Sequence, residues 1–176
     1  MRRIVIADAG PLIALAKINQ LALLPRLFGN VTITTQIAEE LVSGGQFADN
    51  ELIRAALSEP WLTTIDLALL APDAWLAQCR DLINLHQIDI GEASAMVLAQ
   101  FVQAEGNAPL LVIDDFRGRA AAQHSGLALI GTAGLLLLAK QAGVAPLVKP
   151  LLLAMRQNGY FLSDRLIEAA LRQAGE

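Results

Sequence analysis

The chain has 176 residues, of which 55% are hydrophobic and 17% are charged, with a mean hydropathy of +0.48 and a formal net charge of −4. This length fits one domain, and a chain this apolar excludes intrinsic disorder. The single cysteine, Cys79, excludes an intramolecular disulfide framework and a cysteine-rich zinc site. The negative charge, taken alone, argues against a protein that coats nucleic acid.

The apolar excess does not predict a membrane span. The longest apolar run, residues 127–139, is interrupted by glycine and threonine and is shorter than the roughly 20 residues that a spanning helix needs. Only the short apolar run 4–7 separates the basic N-terminus from Asp8, so we expect no signal peptide. These features predict a soluble, cytoplasmic protein without a membrane partner.

Short apolar runs alternate with helical patterns in the first half of the chain. A strand over residues 4–7 ends at Asp8, and Gly10-Pro11 then turns the chain into a helix over 12–17. A helix over 21–28 and a strand over 31–33 follow. Thr34 or Thr35 caps the next helix, which Gly44-Gly45 ends after Val42. We then predict a helix over 49–57, a strand over 61–65 and a helix over 71–85.

The second half repeats the alternation and ends in helices. The best-defined helix, over 90–102, begins near Asp89, and a strand over 110–113 leads into Asp114-Asp115. A helix over 116–125, a strand over 127–130 and helices over 133–141, 147–157 and 164–174 follow. This order predicts one domain over 1–176 with a three-layer α/β/α fold and a mostly parallel central sheet. The α/β core covers about 1–143, and a helical C-terminal extension covers about 144–176.

Carboxylates follow two of the predicted strands. Asp8 comes directly after the first strand, and Asp114 and Asp115 come after the fourth. Ligands of open parallel sheets bind beyond the carboxyl ends of the strands, so these acids share one edge if the two strands are neighbours. Aspartate is also a preferred helix N-cap, so each acid could instead cap the helix that follows.

Two further sites on helices carry acids. Glu92 lies in the first turn of a helix that is apolar on every side. The helix dipole stabilises such a carboxylate by roughly 0.3–1 kcal/mol, much less than the several kcal/mol that burying an ion costs. We therefore expect Glu92 to reach solvent or to have a cationic partner. Glu39 and Glu40 lie on opposite borders of their helix's apolar arc, and periodicity leaves both open.

If these acids share one pocket, they indicate a binding site for a hard divalent cation. Carboxylates that share a pocket repel one another unless a cation neutralises them. Carboxylates and water are the ligands of Mg²⁺ and Mn²⁺, and such an ion activates water and stabilises the transition state of phosphodiester hydrolysis. The sequence has no nucleophile elbow, no P-loop and no zinc-type Cys/His spacing. The candidate ligands are Asp8, Glu39 or Glu40, Glu92, and Asp114 or Asp115.

Five stretches carry a resemblance to a known family. They are IVIADAGPLIALAKINQLALLPRLF, QIAEELVSGG, IDIGEASAMVLA, LLVIDDFRGRAAAQHSGLALIGTAGLLLLAKQAG and NGYFLSDRLIEAALRQAGE. Together they cover nearly the whole chain, and they resemble PIN-domain proteins. The branch that they resemble most lies beside small antitoxin-type genes in prokaryotes.

The resemblance implies a Mg²⁺- or Mn²⁺-dependent endoribonuclease, the toxin of a type II toxin–antitoxin pair, with RNA as substrate and a small antitoxin as partner. It implies catalytic roles for Asp8, Glu40, Glu92 and Asp115, and metal contacts from Asp8, Glu92, Asp114 and Asp115, with Asp89 nearby. Glu92 stands where many PIN ribonucleases have aspartate. Arg117 and Arg119 flank Gly118, and either contact RNA phosphates or lie in a salt bridge or on a solvated helix face.

Two other functions fit the same pattern less well. One is a catalytically weak or inactive PIN-like module that binds RNA or protein. The other is a receiver-like domain, which the sequence disfavours because Asp8 stands alone and no lysine follows residues 127–130. The apolar segment 147–155 fits either the core or a homodimer face. With a cation bound among the acids, the net charge carries little weight against RNA.

Overall fold

Five parallel strands form the central sheet of the protein. The structure is a computed structural model, and it describes residues 2–43 and 48–176. The strands are β1 (Arg3–Ala7), β2 (Val31–Thr34), β3 (Leu62–Ile65), β4 (Ala108–Val112) and β5 (Ala128–Ile130). Every pairing between them is parallel, which confirms the predicted sheet. Within the described ranges, no helix combines the length and the apolar character that crossing a bilayer requires.

The strand order is β3-β2-β1-β4-β5, with β1 in the middle. Ala7 of β1 aligns with Val112 of β4, and the Asp8 N–H continues this ladder by donating to the Val112 carbonyl at 2.9 Å. The chain runs outward from β1 to β2 and β3, then returns on the other side of β1 as β4 and β5. A crevice opens at such a reversal of strand order. Asp8, Asp114 and Asp115 therefore follow adjacent strands at one edge of the sheet.

Helices complete the expected three-layer α/β/α architecture. Helix α7 packs against β1, β2 and β4, and its residues 91–99 are all buried, as expected of a helix that is apolar on every side. Ile90, Gln100 and the last two residues of the helix are exposed. The helices are α1 (Ala9–Lys17), α2 (Leu23–Phe28), α3 (Thr35–Ser43), α4 (Ala48–Leu57), α5 (Leu67–Leu70), α6 (Trp75–His86), α7 (Ile90–Ala104), α8 (Phe116–His124), α9 (Thr132–Gln141), α10 (Lys149–Gln157) and α11 (Asp164–Ala174).

Three predicted helix starts are wrong by two or three residues, and one of them is that of α10, which begins at Lys149 rather than at residue 147. Helix α1 begins at Ala9 because the Asp8 carboxylate accepts a hydrogen bond from the Gly10 N–H, so the predicted Gly10-Pro11 turn is the first turn of the helix. Helix α2 begins at Leu23 rather than at residue 21. The predicted end of α3 at Gly44-Gly45 lies outside the described residues.

The predicted helix over residues 71–85 begins later, as α6, and a short helix that was not predicted, α5, precedes it. The Asp66 carboxylate accepts a hydrogen bond from the Ala68 N–H at 2.9 Å and begins the short helix α5, which the sequence pattern does not indicate. Pro72 lies in the turn that follows, and α6 begins at Trp75. A local N-cap therefore creates a helix boundary that hydrophobic periodicity does not resolve.

The C-terminal helices pack on the α/β core. Helix α11 lies against α9, and α10 lies against α1 and α11. Leu152 and Met155 of α10 are buried, so this face of the apolar segment 147–155 belongs to the core. The loop between α10 and α11 reaches the carboxyl edge of the sheet, where Tyr160 contacts Asp114. The division of the chain near residue 143 stays a prediction.

Candidate active site

An open cleft of about 840 Å³ lies at the carboxyl edge of the sheet, beyond the ends of β1 and β4. All four acids with an expected catalytic role line it, and Glu39, the alternative to Glu40, is not among the lining residues. The structure therefore brings together acids from four separate parts of the chain. The carboxylates of the cleft are Asp8, Glu40, Asp89, Glu92, Asp114 and Asp115.

Three of these acids are helix N-caps. Asp8 caps α1, and the Oδ1 atom of Asp89 caps α7 by accepting a hydrogen bond from the Glu92 N–H at 2.8 Å. Asp115 caps α8, where its Oδ1 atom accepts hydrogen bonds from the Arg117 N–H at 2.7 Å and from the Gly118 N–H at 3.0 Å. An acid can therefore cap a helix and also belong to the acidic cleft, because the cap uses one carboxylate oxygen and the other oxygen remains.

Glu92 is the most buried acid of the cleft. Its Oε2 atom accepts a hydrogen bond from the Asp89 N–H at 3.1 Å, which completes a capping box at the start of α7. Its Oε1 atom is buried and has no hydrogen-bond partner among the described residues. The expectation of solvent exposure is wrong, since Glu92 is only 4% exposed, and the described part of the chain offers it no salt bridge.

Burial and mutual repulsion disfavour the charged forms of the acids. Burial, reinforced by Asp89 and Glu40, raises the pKa of Asp8 to about 7, although backbone N–H groups oppose this. Burial also raises the pKa of Glu92 to about 7, with Asp89, Asp8 and Asp115 adding to the effect. Burial and Asp89 raise the pKa of Glu40. The cleft therefore holds more negative charge than its own surroundings balance.

Asp114 makes contacts that differ from those of the other acids. Its Oδ1 atom accepts a hydrogen bond from the Thr132 N–H at 2.8 Å, and its Oδ2 atom accepts from the hydroxyls of Thr132 and Tyr160, the latter at 2.7 Å. Burial and the adjacent Asp114 carboxylate raise the pKa of the Tyr160 phenol. Asp114 thus joins the end of β4 to the start of α9 and to the loop before α11.

The two arginines of α8 lie in different surroundings. Arg117 is exposed and lines the cleft, and its Nη1 atom donates to the Gln87 carbonyl at 3.3 Å. Arg119 is half-buried and does not line the cleft, because its Nη1 atom donates to the Ile113 carbonyl at 3.0 Å. Of these two arginines, only Arg117 is therefore placed to contact a ligand of the cleft.

A family model described as a PIN domain matches residues 4–176, nearly the whole chain. The chain belongs to the PIN-domain family. No curated protein and no solved structure gave a significant match. PIN domains have a nuclease-type fold, are typically nucleases and generally use divalent metal ions.

The donor set of this PIN domain suits a hard divalent cation. Within the described residues, the Oε1 atom of Glu92 is buried without a hydrogen-bond partner, and Asp89, Asp8 and Asp115 add to the burial that raises the pKa of this acid. Carboxylate oxygens are the ligands that Mg²⁺ and Mn²⁺ prefer. Among residues 2–43 and 48–176, no three acidic, histidine or cysteine side chains are already close enough to chelate a metal ion. A cation held by three of these carboxylates would therefore require at least one of them to rotate, whereas one or two carboxylates with water also bind Mg²⁺.

Part of the cleft comes from a loop to which the sequence pattern assigns no role. A Tyr-Phe pair stands between the Asn158-Gly159 turn and the Ser163 cap of α11, which is a local indication of an exposed loop. Its place over the acids depends on how α10 and α11 pack on the core, so sequence alone does not reveal it. This segment contributes Tyr160, Phe161, Leu162 and Ser163 to the cleft, and the first turn of α11 contributes Leu166.

A methyl group at Gly118 is expected to displace Glu92. A Cβ atom there would lie 2.5 Å from the Glu92 Oε1 atom and 2.6 Å from the Ile113 Cδ1 atom. Overpacking costs ~1–3 kcal/mol, whereas alanine is favoured over glycine in a helix by ~1 kcal/mol. We expect Gly118→Ala to lower the free energy of unfolding by at most about 2 kcal/mol. A nuclease activity that depends on Glu92 should fall about 10-fold or more, as expected for a change that disturbs the support of a metal ligand.

Urea denaturation measures the first effect, and the rate of Mn²⁺-dependent RNA cleavage measures the second. Gly10→Ala is the matched control, because Gly10 also lies in a first helical turn and a Cβ atom there would lie 3.5 Å from the Asp8 Oδ2 atom, an ordinary contact. Equal cleavage rates for the two alanine variants would contradict the prediction.

Removing the Tyr160 hydroxyl is expected to loosen the C-terminal loop. A hydrogen bond to a charged group contributes ~1.5–3 kcal/mol, but Asp114 keeps its two bonds to Thr132. We expect Tyr160→Phe to lower the free energy of unfolding by about 1–2 kcal/mol in urea denaturation. A double-mutant cycle with Asp114→Asn provides the control, and strictly additive losses would show that the two side chains are not coupled.

Proposed function

We propose that this PIN domain is a Mg²⁺- or Mn²⁺-dependent endoribonuclease that hydrolyses phosphodiester bonds of RNA. The observation that supports this most is the cleft at the reversal of strand order, where Asp8, Glu40, Glu92 and Asp115 line one space. Burial raises the pKa of two of these acids, Asp8 and Glu92, to about 7, and neighbouring carboxylates add to the effect. An acidic cleft of this kind is suited to a cation-assisted reaction on a phosphodiester.

Asp8, Glu92 and Asp115 are the residues that we assign to the cation. Glu92 offers the unpartnered Oε1 atom, and the cap made by Asp115 uses its Oδ1 atom, so that the Oδ2 atom remains. When bound, Mg²⁺ or Mn²⁺ supplies Lewis acidity and neutralises charge that develops on the phosphoryl oxygens. Asp114 is expected to support the site through Thr132 and Tyr160, since both of its oxygens already accept hydrogen bonds.

The remaining side chains bind RNA and move protons. Arg117 keeps most of its five N–H donors for a phosphate, since one nitrogen contacts the Gln87 carbonyl. Glu40 has a raised pKa and its Oε2 atom lies beside Gly91, so it is placed to exchange a proton at the margin of the acidic cluster. Asp89 orients Glu92 through the capping box and adds negative charge to the cleft.

We further propose that the nuclease is the toxin of a type II toxin–antitoxin pair and acts in the cytoplasm. The support is the resemblance of five sequence stretches to the PIN branch found beside small antitoxin-type genes. A small antitoxin protein is the expected partner, and a homodimer is a further expectation. Growth arrest on expression, relieved by the product of a short adjacent gene, is the test of this role, and unimpaired growth would contradict it.

An RNA cleavage assay tests the enzymatic proposal. Purified protein is incubated with labelled RNA in Mn²⁺, in Mg²⁺ and in EDTA, and a parallel mock purification controls for contaminating ribonuclease. We expect cleavage in the presence of the cations and none in EDTA. Cleavage that is unaffected by EDTA, or no cleavage of any RNA, would contradict the proposal.

One observation favours a second candidate, a PIN-like binding module without activity. Within the described ranges the acids are not already arranged as a chelating group, and a cleft that cannot rearrange would hold a cation weakly. Calorimetric titration with Mn²⁺ separates the two candidates. Heat of binding at micromolar to millimolar Mn²⁺ supports the enzyme, and its absence supports the module.

A further inference from the structure

Two exposed phenylalanine rings stand at the acidic cleft. Phe116 is 83% exposed and Phe161 is 88% exposed, and both line the same space as the carboxylates. They come from distant parts of the chain, one from the start of α8 and the other from the loop between α10 and α11. Exposing a large aromatic ring to water does not stabilise the folded state. Two such rings beside one cleft therefore indicate a surface that binds a ligand.

Each ring directly follows a residue whose side chain makes hydrogen bonds within the protein. Phe116 follows directly after Asp115, whose carboxylate caps α8. Phe161 follows directly after Tyr160, whose hydroxyl donates to Asp114 at 2.7 Å. Phe116 therefore lies close to the carboxyl end of β4 in sequence, and Phe161 follows a residue that is hydrogen-bonded to Asp114 at that end. Both rings are thus placed near the acids. Rings presented in this way lose little freedom on binding a flat partner.

Phe161 also borders a second hollow. This depression, of about 560 Å³, shares Tyr160, Phe161, Leu162 and Ser163 with the cleft and adds Arg156 and Asp164. Phe161 therefore lines two adjoining spaces, and each has an arginine. Arg117 lies in the cleft, and Arg156 lies in the hollow, where its Nη1 atom donates to the Asp164 Oδ1 atom at 2.6 Å. A polynucleotide chain that continues from the cleft would pass over Phe161 to reach the second space.

We propose that Phe116 and Phe161 form a binding site for unpaired nucleobases next to the phosphodiester that the cleft accepts. The site rests on the proposed nuclease function and specifies which side chains hold the bases of its substrate. Aromatic rings interleaved with arginine are typical of surfaces that bind single strands, because every base has a face that stacks. The core of a protein interface is instead depleted of charge, whereas Asp115, Arg117 and Asp164 surround these rings.

Fluorescence anisotropy with a labelled uridine dodecamer in millimolar Mg²⁺ tests the site. The Glu92→Gln protein serves as the parent, so that the RNA stays intact. We expect Phe116→Ala and Phe161→Ala each to weaken binding by about 5- to 150-fold, the usual contribution of one base–aromatic stack. Phe161→Leu should weaken binding almost as much, since leucine keeps apolar surface but has no π-face. Phe161→Trp should retain it.

Two controls accompany these variants. Leu69→Ala removes an apolar side chain that is 82% exposed on α5, outside the cleft, and should leave the affinity unchanged. A dodecamer of abasic sites keeps the phosphates but has no bases, and it should bind the parent and the ring variants equally. Thermal unfolding checks that the ring variants remain folded, as expected for exposed positions.

The outcomes separate the base site from the nuclease. Weaker binding by the ring variants supports the base site even if the wild-type protein cleaves no RNA, a result that would remove only the nuclease proposal. Cleavage by the wild-type protein together with unchanged affinity in the ring variants overturns the base site and keeps the nuclease. Full affinity of the Phe161→Leu variant, or no binding of RNA by the Glu92→Gln parent, also overturns the base site. Either result would indicate that the rings form a protein-docking surface instead.

Discussion

Glu92→Gln is expected to abolish cation-dependent RNA cleavage and to leave this PIN domain folded. The glutamine side chain can still accept the Asp89 N–H hydrogen bond, so the capping box at the start of α7 is retained. The variant loses only the negative charge and the carboxylate oxygen that has no partner in the described structure. The loss should exceed about 100-fold, because changes that merely disturb the support of a metal ligand already cost about 10- to 100-fold.

Asp8→Asn is expected to have the same effect and to relieve any growth arrest on expression. Asparagine is as good an N-cap as aspartate, so helix α1 should keep its start. The neutral amide is a poor ligand for Mg²⁺ compared with a carboxylate, and it also removes a carboxylate that Asp89 and Glu40 repel. Cleavage rates and circular dichroism spectra, measured side by side, separate lost activity from lost structure.

Glu39 and Glu40 form a matched pair for this experiment. Both are exposed acids on α3, but only Glu40 lines the cleft. We expect Glu40→Gln to lower the cleavage rate and Glu39→Gln to leave it unchanged. Unchanged cleavage by Asp8→Asn or Glu92→Gln would contradict the assignment of the acids, and equal effects at the two glutamates would contradict the placement of Glu40.

The cation-free protein is expected to lose stability as the pH rises from about 4 to about 7. Asp8 and Glu92 have ordinary pKa values of 3.8 and 4.5, and in the folded chain burial raises both to about 7. Between these limits the unfolded chain has released the two protons and the folded chain still binds them. The folded state binds more protons, so raising the pH favours unfolding, and above about 7 the effect is complete.

Such shifts are large on the scale of protein stability. One pKa unit corresponds to about 1.4 kcal/mol, and a typical free energy of unfolding is only ~5–15 kcal/mol. Urea denaturation of the wild-type protein and of an Asp8→Asn, Glu92→Gln double variant at pH 5 and pH 8 isolates the two groups, since the other acids are common to both proteins. We expect the double variant to be the more stable at pH 8, with a smaller difference at pH 5.

Addition of a divalent cation should reverse this loss. A ligand that binds only the folded state at 100 times its Kd adds about 2.7 kcal/mol of stability. We expect millimolar Mg²⁺ or Mn²⁺ to raise the Tm of the wild-type protein at pH 8, and to raise it less at pH 5, where protons compete for the carboxylates. The double variant should not respond. Absence of any rise in the wild-type Tm at pH 8 would contradict cation binding in the cleft.

The helix caps explain why sequence patterns locate the acids but not their roles. An aspartate after a buried strand satisfies both descriptions, a cap for the next helix and a member of a site at the sheet edge. In the structure Asp8 and Asp115 fit both descriptions, because one carboxylate has two oxygens and a cap needs only one. Asp114, next to Asp115, differs because its oxygens contact Thr132 and Tyr160, which are far away in the sequence.

Local features of the sequence determined the parallel strands, most of the helices and the acids at their ends, because hydrophobic periodicity, caps and turns act over a few neighbouring residues. Tertiary packing alone decided three further matters. It buried Glu92 without a basic partner among the described residues, and it selected Arg117 rather than Arg119 for the cleft. It also brought Tyr160 and Phe161 over the acids. These depend on contacts between distant segments and on the loss of water around a charge, neither of which leaves a local pattern in the chain.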